Sequence, residues 1–157
     1  KLRHIGFHAM DSLRLEKAYR GWGHDITDME TPLEAGLSFA VSFDKETSFI
    51  GKDALVQQRQ SKLKKRLVVF TLENPEPLLI GDEPIYRNGE FVGRITSGAF
   101  GHTLGRSVGM GYIENKEGVD SDYIKCGKYE LELLSKRHPA TAQLRPAYDP
   151  LNERVRT

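Results

Sequence analysis

The sequence predicts an α+β fold, in which a mixed α/β part over residues 1–63 precedes a small antiparallel β-barrel over residues 64–157. Three observations lead there. Apolar residues before Lys64 recur at helical intervals. Beyond it, short β-branched and aromatic runs follow at near-regular spacing with Gly and Pro between them. The change of character falls at the charged segment "QRQSKLKKR".

In chain order, Leu15, Ala18, Tyr19 and Trp22 stand at i, i+3, i+4 and i+7, one apolar helical stripe, so a helix is expected from about Ser12 to Arg20. Asp11 suits its start, and Gly21 and Gly23 weaken its end. "METPLEAGLSFAVSF" passes from a Pro-containing turn into a β-prone run, Leu37 to Phe43. "FIGKDALVQQRQSKL" is a second, shorter helix, with Ala54, Leu55 and Gln58 at helical intervals. Then "RLVVFTL" reads as a strand, and Asn88-Gly89 between two strand-like runs is a strong hairpin signal. Further strands are expected at Ser107 to Ile113, Tyr129 to Leu134 and His138 to Leu144, with "SKRH" as the last turn. Many short strands of this kind close, or nearly close, into a barrel. The first part, about 60 residues, is smaller than most self-sufficient domains and opens almost directly in a helix. It reads as the end of a larger domain.

Composition removes several classes. With 157 residues and 38% hydrophobic content, the chain fits a folded globular protein, and 23 Lys and Arg against 22 Asp and Glu give no global field for nucleic acid or a membrane surface. No apolar run approaches the roughly 20 residues of a membrane helix. The opening "KLRHIGFHAM" lacks the apolar centre of a signal peptide and an initiator Met, so the chain reads as a piece of something longer or as a processed product. The one cysteine, Cys126, excludes an intrachain disulfide or a Cys-based metal site and reads as an ordinary thiol.

Most of the familiar chemical motifs are absent from the sequence. No Gly-rich phosphate loop is present. His4 and His8 form an i, i+4 pair without the Glu and third ligand of a zinc-protease helix, so no metal site is expected. "KLKKR" has no interleaved aromatics for stacking bases and reads as a solvated linker. "TSGAF", Thr96 to Phe100, reads as locally hydrogen-bonded hydroxyls at the end of a strand.

Glu16 is the carboxylate that asks for an explanation. Its ordinary account is an i, i+4 pair with Arg20, worth about 0.2–0.5 kcal/mol on an exposed helix. Its neighbours Tyr19 and Trp22 suggest another: a carboxylate among aromatics suits a flat heterocycle with adjacent N–H donors, gripped by two charge-assisted hydrogen bonds while an aromatic covers its face.

Taken in order, "DSLRLEKAYRGWGHDI", "TPLEAGLSF", "TSFIGKDALVQQ", "RLVVFTL", "EPIYRNGEFVGRITSGAFGHTLGRSVGMGYI" and "AYDPLNERVR" resemble the C-terminal part of the aminomethyltransferase (glycine-cleavage T protein) family. Within it they are most similar to the folate-binding half of sarcosine and dimethylglycine dehydrogenases. The resemblance covers almost the whole chain. It implies a folate-binding domain, here only its C-terminal portion, followed by a β-barrel, in agreement with the boundary read from composition.

The resemblance also implies site residues. The Glu of "LRLE", here Glu16, holds the pterin edge; Trp22 stands at a usually aromatic position; Lys45 follows "PLEAGLSF" where some relatives carry Arg; and Arg154 is the nearest match to a C-terminal contact. Lys45 keeps the charge but lacks the planar fork for a bidentate contact. The family's catalytic Asp and much of its folate pocket lie upstream of "LRLE", and the dehydrogenases carry an FAD domain further upstream. The chain alone is therefore expected to be inactive.

The implied function is to position tetrahydrofolate so that it captures the one-carbon unit released when an N-methyl amino acid is oxidised at the flavin. The implied partners are folate and the upstream flavin domain, with no nucleic acid and no membrane. Family habit implies a bacterial cytoplasm or mitochondrial matrix. Two alternatives stand beside this. One is a regulatory or interaction subunit, because the family includes a regulatory subunit of pyruvate dehydrogenase phosphatase. The other is a flavin-free folate-dependent aminomethyltransferase, against which the dehydrogenase-like "YRGW" and "YDPLNERV" argue.

Overall fold

The structure, a computed structural model, describes residues 3–154 and 156. Helix α1 (Phe7–Glu16) begins after Gly6 and stops because Ala18 takes a left-handed backbone, φ 53°. The Ala18 and Tyr19 amides turn back to the carbonyls of Leu15 (3.0 Å) and Arg14 (2.8 Å), the bond pair of a Schellman end. That conformation costs a non-glycine residue about 1–2 kcal/mol. Burial offsets it: Leu15 and Ala18 are each 1% exposed and pack with Leu67, Val69, Val108 and Met110.

This early stop corrects the helix expected from Ser12 to Arg20. Asp11 lies in mid-helix and accepts from Arg14 Nε (2.7 Å) instead of from free amides, while Tyr19 and Trp22 leave the stripe and are exposed. The run Leu37 to Phe43 is likewise not a strand; Ser38–Ala40 makes a 3₁₀ turn. A strand needs a paired neighbour. Among the described residues before Lys65, the only β contact is the single bridge between Trp22 and Ile26. Helix α2 (Lys52–Arg59) is where the sequence puts it, entered through Gly51.

Six strands follow: β1 (Lys65–Leu72), β2 (Pro84–Arg87), β3 (Glu90–Gly101), β4 (Arg106–Glu114), β5 (Tyr129–Leu133) and β6 (Lys136–Gln143). They close into a barrel in the order β1-β4-β3-β2-β5-β6, every pair antiparallel. Asn88 (φ 53°) and Gly89 (φ 88°) form the two-residue β2–β3 hairpin that their sequence announces. A second two-residue turn, Leu134-Ser135, replaces the expected "SKRH", so Lys136 is already in β6. Thr96 to Phe100 lies in the last half of β3, one residue short of its end and beside a register shift at Ile95/Ser97. A short helix α3 (Ser121–Lys125), capped by the Asp120 side chain on the Tyr123 amide (2.8 Å), escapes the sequence reading.

Alternation along β1 divides the core. Val68, Phe70 and Leu72 belong to one cluster with Ile85, Ile95, Ile113 and Leu131; Leu67 and Val69 belong to the second, under α1. Both faces of β1 are therefore buried, which explains its unbroken hydrophobic run. The segment carrying Pro77 and Leu79 is pinned through Ser107, whose hydroxyl donates to Pro77 O (2.6 Å) and accepts from the Leu79 amide (3.3 Å).

Candidate functional site

Two buried carboxylates seat α1 and the loop after it on the barrel. Asp25, 0% exposed, accepts from Arg14 Nη1 (2.8 Å), the Gly21 amide (2.8 Å) and Thr96 Oγ1 (2.5 Å), while its carbonyl accepts from Tyr112 Oη (2.9 Å). Arg14 also donates to Ser97 Oγ (3.1 Å). The hydroxyls of "TSGAF" thus serve a long-range network, correcting the local turn read from sequence. Burial, with the charges of Glu30 and Asp25 adding to it, pushes the Tyr112 phenol well above its ordinary value.

Glu16, the last residue of α1, is 2% exposed. Oε1 accepts from the amides of Thr103 (2.6 Å) and Leu104 (3.2 Å), and Oε2 from Thr103 Oγ1 (2.8 Å). Its partner is the β3–β4 turn. Arg20, the ordinary candidate, donates instead to the carbonyls of Ala35 (3.0 Å) and Ala18 (2.8 Å).

Next to Glu16 the C-terminal segment folds back onto the helix. The Tyr148 amide donates to Glu16 O (3.1 Å), and Lys17 Nζ donates to Asp149 O (2.7 Å) and Asp149 Oδ2 (3.1 Å). Burial alone would raise the Asp149 carboxyl, but the hydrogen bonds from Lys17 and from the Glu153 and Arg154 backbone outweigh it and hold it below the usual carboxylate range. Between these elements lies a cleft of about 540 Å³ with Glu16 and Arg154 in its wall, Met10 and Leu13 along its helical side, and Tyr19 and Tyr148 as aromatic faces. The Arg154 guanidinium stands 5.8 Å from the Tyr148 ring centre.

The structure thus brings Glu16 and Arg154 to one cleft, 138 positions apart in sequence. Trp22 and Lys45 do not line it. Trp22 is 73% exposed on the loop that bridges to Ile26, and Lys45 is exposed in the segment before α2, where its carbonyl accepts from Lys52 Nζ (2.7 Å). Lys17, Thr103 and Tyr148 escaped the sequence reading; only "AYDPLNERVR" signalled that part. Cys126 is exposed, and among the described residues no group of three or more His, Cys, Asp or Glu is placed to hold a metal. No helix among them is long and apolar enough to cross a membrane.

Apolar walls, two aromatic faces and a cationic rim suit a flat ring that carries an anionic tail. The Glu16 carboxylate, with about four lone-pair sites and three bonds already made, can accept about one more.

A family profile described as "Glycine cleavage T-protein C-terminal barrel domain" matches residues 65–149, and one described as "GCVT N-terminal domain" matches residues 1–45. The chain is 44% identical over 155 residues to 4-methylaminobutanoate oxidase (formaldehyde-forming) of Paenarthrobacter nicotinovorans, covering 99% of this chain and 18% of that protein. It is 40% identical over 157 residues to the mitochondrial sarcosine dehydrogenase of Homo sapiens, covering 99% and 17%. It is also 40% identical over 156 residues to the mitochondrial pyruvate dehydrogenase phosphatase regulatory subunit of Mus musculus, covering 92% and 18%. Among solved structures, the glycine cleavage system aminomethyltransferase T of Bartonella henselae superposes with a TM-score of 0.77 at 26% identity, over 90% of this chain and 38% of that one. The chain therefore belongs to the glycine-cleavage T-protein family, and its barrel is that family's C-terminal barrel. It spans less than a fifth of the length of these three relatives.

Proposed function

We propose that this chain is the C-terminal module of a flavin-dependent N-methyl amino acid dehydrogenase of the sarcosine and dimethylglycine type. In this reading residues 1–63 close a tetrahydrofolate-binding domain, residues 64–157 form the barrel that supports it, and the FAD domain lies upstream. The observation that carries the reading is the convergence of Glu16 and Arg154 on one apolar cleft. Tetrahydrofolate, when bound, supplies a nucleophilic nitrogen that takes up the one-carbon unit.

The task of the residues here is positioning. Holding the acceptor beside its reaction partner turns a bimolecular encounter into an effectively intramolecular one. Glu16 contributes one hydrogen bond to the pterin edge, in place of the bidentate grip that its sequence neighbours suggest. It also fixes the Thr103 turn that shapes the wall. Arg154 meets the anionic tail. Trp22 and Lys45, outside the cleft, contact the folate from the upstream side, where the rest of its pocket belongs. The compartment is the bacterial cytoplasm or the mitochondrial matrix.

The test is the affinity of the full-length parent for tetrahydrofolate, alongside its thermal midpoint, for the wild type, Glu16→Gln and Arg154→Gln. The reading expects weaker binding in both variants; two folded variants with unchanged affinity would overturn it.

A second reading, a regulatory or interaction subunit, is favoured by the 40% identity to the phosphatase regulatory subunit. The parent sequence separates the two. A flavin-attachment region and the family's upstream catalytic Asp support the dehydrogenase; their joint absence supports the regulator.

A further inference from the structure

A separate cleft of about 320 Å³, sharing no lining residue with the one above, is lined by Arg20, Arg59 and Arg66 together with Gln58, Ser38 and Ser61. No Asp or Glu is among its lining residues. The three guanidinium groups repel one another; Asp25 acts on Arg20 and Asp120 on Arg66 from outside the lining, and an anion within the cleft would act on all three.

Their existing contacts leave capacity for one. Arg20 uses Nε and Nη1 on the carbonyls of Ala35 and Ala18, and Arg59 lies 4.9 Å from the Phe43 ring centre. Among the described residues none of the three forms an ion pair. Arg66 Nε is buried with no hydrogen-bond partner, and so is Gln58 Oε1, although Gln58 Nε2 reaches Glu34 Oε1 (3.4 Å). Burial lowers the basicity of Arg20 and of Arg66, opposed for Arg20 by Tyr112 and Asp25 and for Arg66 by Asp120.

An unmet cationic donor and an unmet neutral acceptor in one cleft define the complement. The ligand needs an anionic oxygen for the guanidinium and an O–H for the amide carbonyl, and guanidinium forks match carboxylate and phosphate geometry alike. We propose that this cleft binds a small oxyanion that also carries a hydroxyl donor, a partly protonated phosphate or a hydroxycarboxylate, between Arg20, Arg66 and Gln58 with Arg59 at the rim. The site is independent of the folate reading and stands or falls separately.

Calorimetric titration of the full-length parent with inorganic phosphate and with glycolate, at constant ionic strength with chloride as the control, tests it. Saturable binding of at least one is expected, and whichever binds more tightly identifies the source. Arg66→Gln and Arg59→Gln are expected to weaken it about tenfold or more, the scale of one lost hydrogen bond to a charged group. Arg59 is on an exposed helix with no buried residue, so its variant reports even where Arg66→Gln fails to fold. Gln58→Leu is expected to weaken glycolate but not acetate, which has no hydroxyl. No saturable binding of phosphate or glycolate, or undiminished binding in folded Arg59→Gln, overturns the site; equal effects of Gln58→Leu on glycolate and acetate overturn the role of the hydroxyl.

Discussion

Arg14 Nη1 lies 2.8 Å from Oδ2 of the fully buried Asp25, and through that pair the end of α1, the loop after it and strand β3 are held as one unit. Breaking a buried pair from one side strands the remaining charge, at about 3–5 kcal/mol. Asp25→Ala is expected to lose about that much unfolding free energy in urea. Asp25→Asn, which keeps an oxygen for the Gly21 amide or Thr96, loses less. A loss under about 1 kcal/mol in the alanine variant would mean that Asp11, also bonded to Arg14, suffices as its partner.

Glu16 and Thr103 differ in what their removal leaves behind. Glu16→Ala orphans two amides and a hydroxyl, each costing about 1–3 kcal/mol where water cannot replace the acceptor. Thr103→Val removes the hydroxyl with its bond and costs about 1 kcal/mol. Denaturant midpoints should rank wild type, Thr103→Val, Glu16→Ala in falling order; the reverse order of the two variants would show that the amides find other acceptors.

Tyr112 makes stability fall in alkali. Its phenol is raised in the fold, first by burial and then by neighbouring carboxylates. The raised group favours the folded state fully below the unfolded phenol value of about 10, and that contribution is lost as pH climbs toward the folded value. Tyr112→Phe should be less stable at neutral pH by about 1 kcal/mol, for the lost bond to Asp25 O, and its stability should decline less steeply above about pH 10. Parallel curves for the two proteins in that range would count against the account.

Close packing at β4 gives a contrast between two glycines. A Cβ on Gly111 would stand 2.5 Å from Arg94 O and 2.9 Å from Ile95 Cα, so Gly111→Ala must part β3 from β4. At Gly89 nothing lies within 4 Å, and only the left-handed φ of 88° opposes a side chain. Gly89→Ala should cost about 1–2 kcal/mol. Thermal scans should show Gly111→Ala the more damaged of the two, by a clear margin.

Much of the barrel was legible because its signals are local. Asn88-Gly89 announces a turn by its backbone preference, and Val68 to Phe70 by β-branched and aromatic content. The misreadings have tertiary causes. Ala18 ends α1 two residues after Glu16 in a conformation that burial against Leu67 and Met110 permits, which no propensity foretells. Leu37 to Phe43 has strand-like composition but no paired neighbour among the described residues. For the site, Glu16 was marked by its aromatic neighbours as well as by the resemblance and Arg154 by the resemblance alone, whereas the Thr103 and Lys17 contacts join segments 87 and 132 positions apart. Such pairs exist only once the barrel has closed.

The most direct test fills the cleft. Leu13, on its helical side, is 54% exposed, so Leu13→Trp should occupy the space without disturbing the core. Titrating tetrahydrofolate into the full-length parent, the account predicts affinity lower by about tenfold or more with the thermal midpoint unchanged, the scale of a clash in an occupied pocket. Wild-type affinity in the folded Leu13→Trp parent would contradict it.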